Sequence, residues 1–444
     1  MTISDFKNKN VTVVGLGRFG GGIGAARWLV DQGANVTISD RATKEQLAES
    51  LDQLAGLDIK FNLGGHLKED FTQADLLVVS PAIPPEMPML KLACENNIPI
   101  TTEINLFIER CPAKIIAITG SVGKSTTTAM LGEILKQKFT THVGGNIGKS
   151  LLMDLDKIKH DHMVVLELSS FQLEYTAQIK FRPSIALATN IVPNHLDRHG
   201  DMQNYVDAKK NIFKFQTAND VLILNAQDQA LADWQNQAAA KVEFFSAEDK
   251  PSFELLIPGT HNQANAQAAW SAAKQVGVSF EQAQQGLAKF EGLKHRLQFV
   301  CQIAGIKFYN DSKCTTPEGA IVALDSFETG KAIILLGGYD KNVSFDKLAR
   351  AVAKKAKCAI AFGQVADKLK LAIERANQEL TPAEANSNSA NFILVETLEQ
   401  ALNQAKSLAK AGDSILLSPA CASYDQFTNY QQRGDIFCKL AAEK

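Results

Sequence analysis

Lys114-Ile115-Ile116-Ala117-Ile118-Thr119-Gly120-Ser121-Val122-Gly123-Lys124-Ser125-Thr126 is an apolar strand-like run that breaks into a glycine turn and then into Lys and hydroxyl residues opening a helical stretch to about Lys136. That order makes a phosphate cradle: backbone N–H groups wrap the oxygens, Lys124 adds charge, and the Ser125 hydroxyl reaches Mg²⁺. Gly120, Ser121, Gly123, Lys124, Ser125 and Thr126 are therefore expected to bind ATP or GTP. Ile118 stands where the full G-x-x-x-x-G-K-[ST] pattern has its first glycine. A tight turn alone can carry such residues; the strand before and the helix after set this one apart.

With 444 residues the chain has room for roughly three domains, each with its own core. A hydrophobic fraction of 45% and a net charge of -2 describe an ordinary soluble protein without the basic patch that nucleic acid requires. The seven cysteines are scattered, with no C-x-x-C pair, as expected of reduced thiols in a cytoplasmic protein. No run approaches the roughly 20 apolar residues of a spanning helix, so neither secretion nor membrane insertion is expected.

Strand-like and helical segments alternate from the start: Val11–Val14, the helix around Ala25–Gln32, Asn35–Ser39, and Leu76–Ser80 after a Gly64-Gly65 turn. Such alternation implies parallel sheets with crossover helices. Gly15-Leu16-Gly17-Arg18-Phe19-Gly20 satisfies G-x-G-x-x-G after a strand, and Asp40 ends the next strand where a ribose-binding acid would sit. The pattern suits NAD(P), another diphosphate-bearing ligand, or simple close packing. Further strands are expected at Met163–Leu168 and Ser184–Asn190, then at Ala332–Leu336, Ala359–Phe362, Phe392–Val395 and Ser414–Leu417. Gly286–His295 is the expected hinge, and Asn377–Ala390 an expected surface loop.

Glu167 closes an apolar strand beside the phosphate turn, a place for a carboxylate that holds Mg²⁺ or for one held by a helix terminus. His195 lies in the polar loop Thr189–Gly200, at the same sheet edge. Tyr205 and Lys209 stand four apart on one helical face within Asp201–Phe215, and spacing alone favours solvated charges for Lys209 and Lys210. Asn262 and Asn265 open an alanine-rich helix, where amides either read a base or cap the helix. Asn310–Thr316, Gly337–Lys341 and Ser418–Phe427 are loops after strands whose lysines and hydroxyls suit an anionic substrate.

Taken in order, Thr119–Thr126, Gly144-Gly-Asn-Ile-Gly148, Leu166-Glu-Leu-Ser-Ser-Phe-Gln-Leu173, Asn194-His-Leu-Asp-Arg-His-Gly200, Tyr205-Val-Asp-Ala-Lys209, His261-Asn-Gln-Ala-Asn265, His295-Arg296, Asn310-Asp-Ser-Lys313, Ser418-Pro-Ala-Cys-Ala-Ser423 and Gln432-Arg-Gly434 resemble the Mur ligase family over essentially the full length. Ser418–Ser423 and Ser-Phe-Gln-Leu resemble its D-glutamate-adding members. The resemblance implies an α/β fold in three domains: 1–111, Rossmann-like, for the UDP substrate; 112–295, a phosphate-loop ATPase with a mostly parallel sheet; and 296–444, Rossmann-like, for the amino acid. It implies a cytoplasmic monomer that activates UDP-N-acetylmuramoyl-L-alanine with ATP and Mg²⁺ as an acyl phosphate, which the amine of D-glutamate attacks.

By the same resemblance, Lys124 holds the β/γ-phosphates, and Ser125, Glu167 and His195 bind Mg²⁺. Lys209 falls on a carbamylated, metal-binding lysine, which reverses what its spacing suggests. Asn262, Asn265, Arg296 and Asp311 would contact ATP, while Lys313, Thr315, Lys341, Ser423, Tyr424 and Tyr430 would border the D-glutamate pocket. Gly15, Gly17, Asp40, Arg41 and Ser80 would receive the uridine diphosphate, with Asn146 and Gln172 nearer the muramoyl end. The glycine-rich Arg18–Gly24 departs from the family's usual turn, and Tyr424 and Tyr430 replace side chains that are commonly smaller or purely apolar. The alternatives are a ligase adding another amino acid, a folylpolyglutamate-type ligase, an NAD(P)-dependent oxidoreductase on the first glycine turn, or a nucleotide-dependent switch.

Overall fold

In the computed structural model of the chain, residues 5–16, 20–379 and 391–443 are described. The chain divides into two compact units, Met1–Ser252 with Ala264–Gly286, and Phe253–Gln263 with Leu287–Lys444. The first unit holds two sheets. β1 (Asn10–Val14), β2 (Asn35–Asp40), β3 (Ile59–Leu63), β4 (Leu76–Val79) and β5 (Ile100–Thr101) lie in the order β3-β2-β1-β4-β5, all parallel. β6 (Lys114–Thr119), β7 (Thr141–Gly145), β8 (Met163–Glu167), β9 (Ile185–Ala188), β10 (Val221–Asn225) and β11 (Lys241–Phe245) follow in the order β11-β10-β9-β6-β8-β7, again parallel. In each sheet the first strand lies between neighbours wound in opposite directions, which opens a crevice at its carboxyl end. Both glycine turns, after β1 and after β6, emerge there.

The apolar runs follow from burial on both faces: β8 and β9 are buried at every position. One continuous cluster runs from Val11, Leu29 and Phe107 through Leu151 and Leu166 to Trp234, so the two sheets of this unit share a core. Each such side chain contributes on the order of 1.5–3 kcal/mol when fully buried.

The second unit holds one sheet: β12 (Gln298–Ile303), β13 (Ile306–Asn310), β14 (Ala332–Gly337), β15 (Cys358–Phe362), β16 (Asn391–Leu394) and β17 (Ser414–Leu417), in the order β12-β13-β17-β14-β15-β16. β12 is antiparallel to β13 and the rest pair in parallel. Along β14, Ile334 and Leu336 pack with Leu348, Val352 and Leu369, whereas Ile333 and Leu335 pack with Leu402 and Phe437. Alternate side chains thus bind helices to opposite faces.

The sequence reading differs from the structure mainly at sheet margins. β3 was not expected, because its Lys60 and Phe61 are exposed on an edge strand and break the apolar run. The helix expected over Asp201–Phe215 ends at Lys210. The surface loop expected over Asn377–Ala390 is corrected at its start, where Asn377–Glu379 finish the helix Ala366–Glu379; 380–390 lie outside the described residues.

Arg433 organises the second unit. It is 0% exposed, on the helix Tyr430–Ala442. Its Nε donates to Ser312 Oγ at 3.0 Å, Nη2 to the carbonyls of Ser312 (2.9 Å) and Cys421 (3.0 Å), and Nη1 to that of Ala422 (3.3 Å). One guanidinium thereby joins the loops that follow β13 and β17. Arg433→Met would take away the side-chain donors of the Ser312 and Cys421 carbonyls and leave Ala422 O only the Tyr339 N–H, and is expected to cost about 3 kcal/mol or more. Arg433→Lys should recover only part, because an ammonium has three donors and no planar fork. Urea unfolding of the full chain measures this; a loss below about 1 kcal/mol for the Met variant would count against the role.

Candidate active site

At the exit of β6, Gly120 takes φ +141°, and a Cβ there would overlap Thr189 Oγ1. Only glycine lets the backbone lie this close to the end of β9. Val122 then donates its N–H to Asn190 Oδ1 at 2.9 Å, and its carbonyl accepts from Asn190 Nδ2 (2.8 Å) and Thr189 Oγ1 (2.7 Å). The Ser121 hydroxyl pairs with Val192 O at 2.9 Å and with Tyr205 Oη at 2.8 Å. The helix Lys124–Leu135 starts at once, with Ser125 in its first turn. Thr127 Oγ1 donates to Asn265 Oδ1 at 3.2 Å, and Lys124 Nζ donates to Ser121 O at 3.1 Å. The turn is therefore held in shape by the protein itself, with Asn265 beside it. Asn190 and Tyr205 were not among the expected ligands; the polar end of a buried strand and the Tyr205/Lys209 spacing were the available signals.

Glu167 ends β8 in register with Ile118 of β6 and is buried. Oε1 accepts from Asn146 Nδ2 at 2.9 Å, while the buried Oε2 has no hydrogen-bond partner among the described residues. Gly145 permits this pairing: at φ +95° its missing Cβ would overlap Glu167 O, and Asn146 N–H donates to that carbonyl at 2.8 Å. Asn146, expected at the muramoyl end, is thus also the residue that orients Glu167.

Lys209 is 1% exposed, and the surface position that spacing favoured for it is wrong. The helix Met202–Lys210 turns Tyr205, Ala208 and Lys209 inward. Lys209 Nζ donates to Gly120 O at 2.8 Å, with Thr119 Oγ1 at 3.5 Å. Burial, reinforced by Lys124 and opposed by Glu167, pushes its pKa down to about 7. His195 is exposed at φ 53°, its ring 5.0 Å from that of Phe171. The buried histidine of the same loop is His199, with Nε2 2.9 Å from Ser170 Oγ and Nδ1 3.4 Å from Glu174. Gln172 Oε1 accepts from Ser169 N–H at 3.0 Å, closing a capping box on the helix Ser170–Thr176.

At the N-terminal turn, Gly15 N–H donates to Ser39 O at 2.9 Å. Both oxygens of Asp40, the expected ribose acid, accept from backbone: Oδ2 from Leu16 N–H and Oδ1 from Ala42 N–H, each at 2.8 Å. Arg41 is exposed, Ser80 N–H donates to Val14 O at 2.9 Å, and Gly17 lies outside the described residues.

In the second unit, buried Asp311 accepts from Leu297 N–H (3.0 Å) and Ser418 Oγ (2.7 Å), and burial raises its pKa to about 6. Arg296 is exposed between His295 and Leu297, both at positive φ. Asn262 Nδ2 donates to Pro258 O at 2.7 Å. Lys313 Nζ lies 5.9 Å from the Tyr430 ring centroid, Thr315 is half-buried and Lys341 exposed. Ser423 is buried next to Tyr424, which is 68% exposed, and the bridge Tyr339↔Ala422 brings their loop to the one carrying Lys341.

The unpartnered Glu167 Oε2 and the Ser125 hydroxyl are oxygen donors that fit a hard cation such as Mg²⁺. Among the described residues no three His, Cys, Asp or Glu side chains form a ready metal site. Mg²⁺ bound by one or two carboxylates takes its other ligands from phosphates and water.

Three family models match the chain: the Mur ligase MurD-like N-terminal domain over residues 9–102, the Mur ligase middle domain over 118–255, and the Mur ligase glutamate ligase domain over 295–421. The UDP-N-acetylmuramoylalanine--D-glutamate ligase of Acidobacterium capsulatum is 39% identical, over 98% of this chain and 96% of its own. The enzyme of that name from Acetivibrio thermocellus is 36% identical, over 99% and 98%. Among solved structures, UDP-N-acetylmuramate-alanine ligase from Thermotoga maritima aligns with a TM-score of 0.58 at 20% identity, covering 97% of this chain and 99% of that one. The MurF ligase from Thermotoga maritima, in complex with ADP, aligns at 0.55 and 16%, covering 98% and 96%. At these identities the solved structures share the fold.

Lys209 should give a pH signature. Its folded pKa of about 7 lies below the ordinary 10.5, so between those values the unfolded chain binds more protons and the stability contributed by this group rises with pH. The stability of the wild type relative to Lys209→Met is expected to increase from pH 7 to pH 9 in urea titrations. An unchanged difference would mean that the amine titrates normally.

Proposed function

The chain belongs to the Mur ligase family, and we propose that it forms the amide bond between D-glutamate and UDP-N-acetylmuramoyl-L-alanine, driven by ATP, in peptidoglycan precursor synthesis in the cytoplasm. The observation that carries the choice of amino acid is full-length likeness, at 36–39% identity, to relatives named for that reaction. The seven free cysteines support a reducing compartment. The three separate sheets support a division into domains 1–111, 112–295 and 296–444. The protein acts as a monomer, without nucleic-acid or membrane partners; no helix among the described residues is long and apolar enough to cross a membrane.

A carboxylate is a poor acyl donor, and transfer of the γ-phosphoryl group gives it a leaving group. The amine of D-glutamate then attacks the acyl phosphate, and the tetrahedral intermediate collapses to amide and phosphate. Gly120, Ser121, Gly123 and Thr126 present the turn and the helix N-terminus to the phosphates, and Lys124 neutralises the β/γ-oxygens. Asn262, Asn265, Arg296 and Asp311 bind the rest of ATP. Ser125, Glu167, His195 and Lys209 would hold Mg²⁺, which when bound neutralises phosphate charge. Lys209 joins that set only as a carbamate. Its lowered pKa supports this, because near pH 7 a large fraction is the neutral amine that adds to CO₂ with loss of a proton. Gly15, Gly17, Asp40, Arg41 and Ser80 receive the uridine diphosphate, and Asn146 and Gln172 the muramoyl end. Lys313, Thr315, Lys341, Ser423, Tyr424 and Tyr430 hold D-glutamate.

Phosphate release is expected only with ATP, Mg²⁺, UDP-N-acetylmuramoyl-L-alanine and D-glutamate together, with the product identified by mass. Product with another amino acid and none with D-glutamate would keep the class and sink the substrate. Lys209→Ala should lower kcat by at least about a hundredfold, with partial rescue by a small added carboxylate. In the wild type, ¹³CO₂ should give a carbamate ¹³C resonance that this variant lacks, and its absence would refute the modification.

A further inference from the structure

The loop after β3 places a histidine where the proposed UDP site needs a recognition group. Gly64 N–H donates to Ala42 O at 2.9 Å and Gly65 N–H to Asp40 O at 3.2 Å, which draws this loop against the end of β2. His66 follows. Its Nδ1 lies 2.9 Å from the Oγ of buried Ser39, and its ring meets Phe71 edge-on at 5.5 Å. One nitrogen and the ring plane are thereby fixed. Nε2 makes no hydrogen bond among the described residues, and the ring is only half-buried. His199 is the contrast within the same chain: it is buried, and both of its nitrogens face partners.

In an open parallel sheet, a nucleotide whose diphosphate sits at the turn after the first strand extends its nucleoside over the end of the second. Here the order β3-β2-β1 leads that path from the glycine turn past Asp40 toward the loop after β3. Asp40 accepts from the N–H groups of Leu16 and Ala42 and keeps lone pairs for a ligand donor, and Asp70 accepts from Asn62 Nδ2 at 2.7 Å, so both offer acceptors only. His66 has an uncommitted nitrogen along this edge. We propose that His66 is a recognition residue for the nucleoside end of the uridine diphosphate moiety, hydrogen-bonding through Nε2; the role rests on reading the N-terminal turn as the UDP site. Burial lowers the imidazole pKa, with Arg41 acting in the same direction and Asp40 and Asp70 against it. At neutral pH the ring is therefore mostly uncharged and hydrogen-bonds without placing a second cation beside Arg41.

Steady-state kinetics of His66→Ala and His66→Gln test this. The KM for UDP-N-acetylmuramoyl-L-alanine is expected to rise about fivefold or more, the scale of one neutral hydrogen bond, while the KM values for ATP and D-glutamate and kcat stay within about twofold. An unchanged KM for the UDP substrate, or an equal rise for all three substrates, overturns the proposal. Calorimetry should show the alanine variant losing affinity for UDP but not for inorganic pyrophosphate; equal loss of both would assign His66 to the shape of the glycine turn and overturn it too. In the unsubstituted protein, the His66 ring Cε1–H resonance is expected to shift on adding UDP, and no shift refutes direct contact whatever the variants do. UDP binding requires no turnover, so failure of ligation with D-glutamate would sink the proposed reaction and leave this result standing.

Discussion

The glycine turn after β6 depends on how closely its backbone can approach the end of β9. Gly120 leaves no volume between itself and Thr189, and this closeness lets the Asn190 carboxamide pair with both backbone groups of Val122. The same residue offers the carbonyl that receives Lys209, and the next one, Ser121, meets Tyr205. A single Cβ-free position thus sets the register of a turn, a strand end and the helix Met202–Lys210. Gly145 does the same for Glu167, since it brings Asn146 against that carboxylate.

Each unit also buries a cation, and the two differ in chemistry. Arg433 keeps its charge, although burial lowers its pKa to about 10, because its planar donors are met by oxygens from separate loops. It acts as a fastener. Lys209 is desolvated by burial beside Lys124, with one close acceptor, Gly120 O, and its pKa falls to about 7. That difference leaves a large fraction of Lys209 as the neutral amine near pH 7, beside the turn after β6.

Much of this architecture was legible in the residues. β6, β8, β9, β14, β15 and β17 are buried on both faces and so read as apolar runs, and the candidate loops follow such strands. Strands that lie at sheet margins were harder: β3 mixes exposed and half-buried positions, and β12 pairs antiparallel at an edge. Side-chain commitments were harder still. Asp40 carries the spacing of a ribose acid, and only the structure shows that its oxygens also hold the Leu16 and Ala42 amides. Asn190, His66 and Arg433 belong to no spacing rule, because their partners lie on strands and loops distant in sequence.

By itself the sequence determined which turns could receive phosphate, which strands were buried and which family the chain resembles, because these are properties of short segments and of their order. Only the tertiary structure decided the state of the side chains between segments. It turned Lys209 inward, left Glu167 Oε2 without a partner and gave His66 one anchored nitrogen. Those outcomes depend on burial and on neighbours far away in the chain, and a local pattern carries no information about either.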